Sequence, residues 1–155
     1  MVNEDAVKHL EFIQNAITRM ASNSFLLKGW TVTLVAALVA LAAQNANPLF
    51  VALAVFPAIA FWVLDAYYLR QERLFRKLYD DIRAKNNDTL QSEGPFSMST
   101  KPFEDKVESW RDIMYSSPLK LFYIMIILTI VVLAIVVFVI NNPPMLCYHY
   151  CHHNR

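Results

Sequence analysis

Residues 29–64 read GWTVTLVAALVALAAQNANPLFVALAVFPAIAFWVL, a run of 36 residues without a charge, bounded by Lys28 and Asp65. A helix crosses the hydrocarbon core of a bilayer with about 20 residues, so the run is too long for one span and suits two. Gln44, Asn45, Asn47 and Pro48 interrupt its aliphatic middle, where Asn and Pro favour a turn over helix interior. The reading is a transmembrane hairpin over 25–64, with helices from about Phe25 to Ala43 and from about Leu49 to Leu64.

A third span follows from Leu121–Ile140, 20 consecutive uncharged residues dominated by Ile, Val and Leu. Composition agrees: 56% of the 155 residues are hydrophobic and only 17% charged, too apolar for one soluble domain. Three spans use roughly 55–60 residues, and the remaining segments are too small to bury much core alone, which predicts a homo-oligomer. The predicted fold class is an all-α membrane protein with three transmembrane helices, an N-terminal amphipathic helix, and a cytosolic helical segment between spans two and three. The boundaries are 1–24 for the cytosolic amphipathic helix, 25–64 for the hairpin, 65–116 for the cytosolic segment with loop 86–100, 117–141 for span three, and 142–155 for an extracytoplasmic tail.

Charge placement orients these spans. Lys8, Arg19 and Lys28 precede the first span, and ten basic residues lie from Arg70 to Lys120, while the hairpin turn carries none and the tail only Arg155. The positive-inside rule puts the N-terminus and central segment in the cytoplasm, and the turn and C-terminus outside. The leader before the first span is long and contains acids, and no small-residue cleavage pattern ends an apolar stretch near the N-terminus, so the first span does not read as a secretory signal. A net charge of +1 with no long basic block speaks against a direct nucleic-acid partner.

Asn3-Glu4-Asp5 reads as a helix start. Leu10, Ile13, Ile17 and Met20 then form an apolar stripe at helical spacing, to be buried against the central helices or a neighbouring subunit rather than on the lipid surface, since its polar face is not notably basic. Span one offers a small-residue face of Thr33, Ala36 or Ala37, Ala40 and Ala43, and span two offers Ala54 and Ala58. Close approach through small side chains is the usual way to pair helices in lipid, so these faces are expected to meet. Pro57 is expected to bend span two, as a simple kink or as a gating hinge. Lys28, Asp65 and Lys120 fall at one depth, with Trp30 and Trp62 marking the same interface. Each of these charges either snorkels to the headgroups or joins a pair, and the short side chain of Asp65 favours a specific partner.

With no Gly or Pro after Asp65, span two should continue as a helix to about Lys85. Tyr68, Phe75, Tyr79 and Ile82, widened by Leu74 and Leu78, form its packing stripe. Arg70, Arg73, Arg76 and Lys77 form a basic edge for anionic headgroups or for an anionic ligand such as a nucleotide signal. After the loop, a short helix near Pro102, capped by Ser99 or Thr100, is expected to bury Phe103, Val107, Trp110 and Met114. Ser116-Ser117-Pro118 then starts span three. In the tail, Cys147, His149, Cys151, His152 and His153 can hold a metal, form a disulfide, or be incidental. No nucleophile–base pair, phosphate loop, dinucleotide fingerprint or HExxH motif appears, which argues against an enzyme and calls for no cofactor. The absence of charge at mid-membrane likewise argues against a coupled transporter.

The helix Ala6 to Met20, the hairpin KGWTVTLVAALVALAA and PLFVALAVFPAIAFWVLDAYY, and the charged continuation LRQERLFRKLYDDIR together resemble the SLATT-type group of small bacterial membrane proteins over residues 6–85. That resemblance implies a pore-forming inner-membrane effector of anti-phage defence, in which sensing elsewhere triggers membrane disruption. A second expectation, from a different class, is a non-conducting anchor that recruits a soluble defence protein.

Overall fold

The computed structural model describes residues 4–45, 47–84 and 97–141, all helix or short connection, with no strand among them. Helix α1 spans Glu4–Asn45, α2 spans Pro48–Ala84, a 3-10 helix spans Lys101–Lys106, α3 spans Trp110–Met114 and α4 spans Ser117–Asn141. Three of these, α1, α2 and α4, are long and apolar enough to cross a membrane. At 1.5 Å per residue, α1 with 42 residues and α2 with 37 are about 63 and 56 Å long. Both far exceed the ~30 Å hydrocarbon thickness, so each carries a long charged segment in addition to its apolar one.

The expected boundary between an N-terminal helix at 1–24 and a first span starting at 25 is not a break, because α1 runs through it continuously. Gly29 is the only intrinsic weak point there, and one glycine costs a helix interior only about 1 kcal/mol. The turn at Asn47 has the chemistry expected of a helix start. Its side-chain Oδ1 accepts the Leu49 N–H at 2.9 Å and its carbonyl accepts the Phe50 N–H at 3.3 Å. Pro48 fills the first helical position, where its missing N–H is not needed. Downstream, α2 passes through the buried Pro57 and continues to Ala84.

The chain divides into two compact units. One contains residues 29–61 and 121–141 among those described. Its core holds Val35 and Ala42 from α1, Val51, Ala54 and Ala58 from α2, and Ile130 from α4, with Leu38, Val39, Phe50, Ile126, Ala134 and Val137 packed around them. Ala54 and Ala58 are fully buried, as a close-approach face requires. On α1, however, the packed face is Thr31, Val35, Leu38, Val39 and Ala42, while Thr33, Ala36, Ala37, Ala40 and Ala43 are exposed. At 100° per residue the two sets lie roughly on opposite sides of the helix. Alanines occur on both sides, and the larger Val35, Leu38 and Val39 are what fill the space left beside Ala54 and Ala58. The span hydroxyls are satisfied locally: Thr33 Oγ1 donates to the Gly29 carbonyl at 3.0 Å and Thr129 Oγ1 to that of Met125 at 2.9 Å.

The other unit contains residues 4–28, 62–84 and 97–120 among those described. Ile13 and Ile17 of α1 pack with Leu74, Leu78 and Ile82 of α2 and with Phe103, Val107 and Ile113 from the later segment. Leu10, Phe75 and Tyr79 flank this core, and Met20 is half-buried. The N-terminal stripe therefore meets α2 within the same chain. Burying each of the largest of these side chains contributes about 1.5–3 kcal/mol.

The segment after residue 97 departs from the expected single short helix. A 3-10 turn ends at Lys106, Val107 is extended (φ −122°, ψ 140°), and α3 begins only at Trp110. Thr100 stands at the cap position without a side-chain cap bond. The break changes the phase of the helix, so Ile113 is buried with only 1% exposure while Trp110 is 40% exposed. Trp110 is thus not a packing residue of this core. The loop at 86–96, the tail from 142 onward with its Cys and His residues, and the Asn3 helix start lie outside the described residues.

Candidate functional site

Of the three charges expected at one depth, two are joined. Asp65 on α2 is completely buried and receives Lys28 Nζ from α1 at 2.5 Å, with the Lys28 side chain 27% exposed. Ser24, one turn before Lys28, donates its hydroxyl to the Asp65 carboxylate and accepts from Lys28 Nζ at 2.9 Å. Each group thus uses its proper role: the ammonium donates twice, the hydroxyl donates once and accepts once, and the carboxylate accepts. A carboxylate taken out of water needs such partners, because desolvation costs several kcal/mol per ion. The i,i+4 spacing of Ser24 and Lys28 puts both on the face of α1 that meets Asp65. Lys120 is exposed at the start of α4, with no ion pair among the described residues.

Trp62, one turn before Asp65, donates its indole N–H to the Met114 carbonyl at 3.0 Å and meets Tyr115 edge-on at 6.0 Å. This ties α2 to the end of α3, directly before α4. Trp30 is 58% exposed. Farther along, His9 is buried and its Nε2 lies 3.2 Å from the Ser97 carbonyl oxygen, so this nitrogen carries the proton that is donated.

The basic edge of α2 is divided. Arg76 pairs with Glu72 at 2.6 Å one turn away. Arg73 Nη1 reaches Glu108 Oε2 at 2.9 Å, and Arg70 Nε donates to the Glu108 backbone carbonyl at 3.3 Å. Lys77 is exposed and has no ion pair among the described residues. Glu108 is held below the ordinary carboxylate range, first by its own backbone N–H, then by the hydrogen bond and charge of Arg73, with a smaller contribution from the charge of Lys77.

Sequence reasoning singled out Lys28, Asp65 and the arginines, but passed over Ser24 and Glu108. Ser24 carried a signal in its one-turn spacing from Lys28. Glu108 carried none, since its partner Arg73 lies 35 positions away. Among the described residues, no group of three or more His, Cys, Asp or Glu side chains could hold a metal ion. What the arrangement offers is mechanical: a buried ionic clasp between α1 and α2, and a second, exposed clasp between α2 and the segment leading into α4. Comparison with known proteins finds no matching family model, no similar curated protein and no similar solved structure.

Proposed function

We propose that the protein is an oligomeric, pore-like effector of a bacterial anti-phage defence system, set in the inner membrane with its N-terminus in the cytoplasm. Its spans enclose a narrow apolar pathway that is closed by dewetting and opens when the cytosolic segments are displaced. The observation that carries this reading is the continuity of α1 and α2, each of which bears an apolar span and a charged segment on one unbroken helix. A signal that moves the charged segments acts on the same helices that carry the spans. The clasp of Ser24, Lys28 and Asp65, where the charged and apolar parts of these helices meet, holds the resting register. The exposed face of Thr33, Ala36, Ala37 and Ala40 supplies small-xxx-small pairs suited to self-association in lipid. The positive charges of the N-terminal and central segments support the orientation. The architectural resemblance to SLATT-type proteins over residues 6–85 supports the defence role.

A second reading, a non-conducting anchor that recruits a soluble defence protein, draws on Trp110 and Tyr115, exposed at 40% and 61%. Membrane potential in expressing cells separates the two. The pore reading predicts depolarisation on activation, whereas a normal potential with a co-purifying soluble partner would replace it with the anchor.

A further inference from the structure

Arg70, Arg73 and Lys77 recur at three- and four-residue spacing along α2, and all three act on one residue, Glu108. Glu108 belongs to no helix. It sits on the short strap between the 3-10 helix and α3, just after the extended Val107, and its side chain is 60% exposed. Arg76 is excluded from the cluster by its own pair with Glu72. Arg70 uses only its Nε here among the described residues, which leaves its two terminal amino groups for another acceptor. A carboxylate brings a single negative charge on two oxygens, whereas a phosphate monoester brings close to two charges on three oxygens, and guanidinium forks fit phosphate oxygens in pairs. The present contact is also weak, because an exposed ion pair is screened by water and salt. A dianionic oxyanion therefore has little to displace.

We propose that Arg70, Arg73 and Lys77 form a binding site for a phosphate-bearing anion, occupied in the resting chain by Glu108, and that anion binding detaches Glu108, and with it the polar side of the strap, from α2. The strap leads through α3 to the Met114 carbonyl held by Trp62, and then into α4. Its release loosens the segment that positions the start of the third span. This inference requires no conduction and stands apart from the pore reading.

Distance bears on the source of the phosphate. At 1.5 Å per residue, Arg70, Arg73 and Lys77 lie at most about 8, 12 and 18 Å beyond Asp65 along α2. Headgroups extend roughly 5–8 Å beyond the hydrocarbon on each side, so a lipid phosphate meets Arg70 first, while a free phosphate compound reaches all three cations.

The test is hydrogen–deuterium exchange of residues 107–116 in the full chain, held in nanodiscs of zwitterionic phosphatidylcholine. Inorganic pyrophosphate is added against sodium chloride of matched ionic strength, and a parallel sample uses nanodiscs containing phosphatidylglycerol. Displacing this exposed contact should speed exchange by at most a few-fold. Acceleration by pyrophosphate in phosphatidylcholine assigns a soluble phosphate compound, and acceleration in phosphatidylglycerol alone assigns a headgroup. Glu108→Gln should exchange faster with no anion added, and Arg73→Gln should abolish the response to either source. No acceleration of the native chain in either arm, or an undiminished response in Arg73→Gln, would overturn the proposal.

Discussion

Replacing Lys28 by Met removes the cation from a carboxylate that has no exposure at all. Removing one partner of a buried ion pair costs about 3–5 kcal/mol. Asp65→Asn is milder, because the tip of Lys28, already 27% exposed, can turn to water, and the amide still offers Ser24 an acceptor. That change should cost about 1–2 kcal/mol. With both substitutions no charge remains to be compensated, and the double variant should also lose only about 1–2 kcal/mol. The single losses sum to about 4–7 kcal/mol, so the double-mutant cycle should show coupling of at least about 2 kcal/mol. Thermal unfolding in mild detergent, followed by tryptophan fluorescence, reads the losses at roughly 2–4 °C per kcal/mol for a chain of this size. Lys28→Met should thus lower the midpoint by roughly 6–20 °C, and adding Asp65→Asn should restore most of it. Additive losses, or a Lys28→Met variant as stable as the native chain, would refute a buried clasp at this position.

Three further outcomes follow from named contacts. Ile113→Ala should destabilise by about 2–5 kcal/mol in the same assay, while Trp110→Ala, on the exposed side of α3, should stay within about 1 kcal/mol; equal losses would contradict the phase set by the break at 107–109. The lowered pKa of Glu108 means that its ionic contact is fully present above the ordinary carboxylate range and is lost only as pH falls through its lowered value. Protection of residues 107–116, corrected for the intrinsic pH dependence of amide exchange, should therefore hold steady through that range and fall below it in the native chain, with no such step in Glu108→Gln. Ala36→Ile with Ala40→Ile, both exposed on α1, should reduce the oligomer mass in detergent without lowering the unfolding midpoint of the subunit; an unchanged mass would remove this face as the self-association surface.

The spans were legible because charge is costly in hydrocarbon: the uncharged runs at 29–64 and 121–140 and the polar break at 44–48 mark where apolar helices start, turn and stop. The unbroken path of α2 from Pro48 to Ala84 was equally readable, since nothing after Asp65 stops a helix. Which face of α1 packs in the span was not readable, because alanines lie on both sides and the choice depends on the shapes of α2 and α4. The break between Lys106 and Trp110 was hidden for a similar reason, as apolar residues at 103, 107, 110 and 114 fit a continuous helix as well as the broken one. In the candidate sites, Lys28 and Asp65 stood out as charges at span ends. Ser24 shows only its one-turn spacing from Lys28 and Glu108 shows nothing, because their cross-helix partners Asp65 and Arg73 lie 41 and 35 positions away.

The reading of the chain as a pore is tested most directly by reconstitution. The protein is purified in mild detergent, its oligomeric mass is measured, and it is placed in dye-loaded liposomes. A defined oligomer is the predicted result, with the native chain holding its dye at rest and Lys28→Met, whose clasp is broken, releasing it. Liposomes that remain sealed with both proteins, at matched incorporation, would contradict the pore.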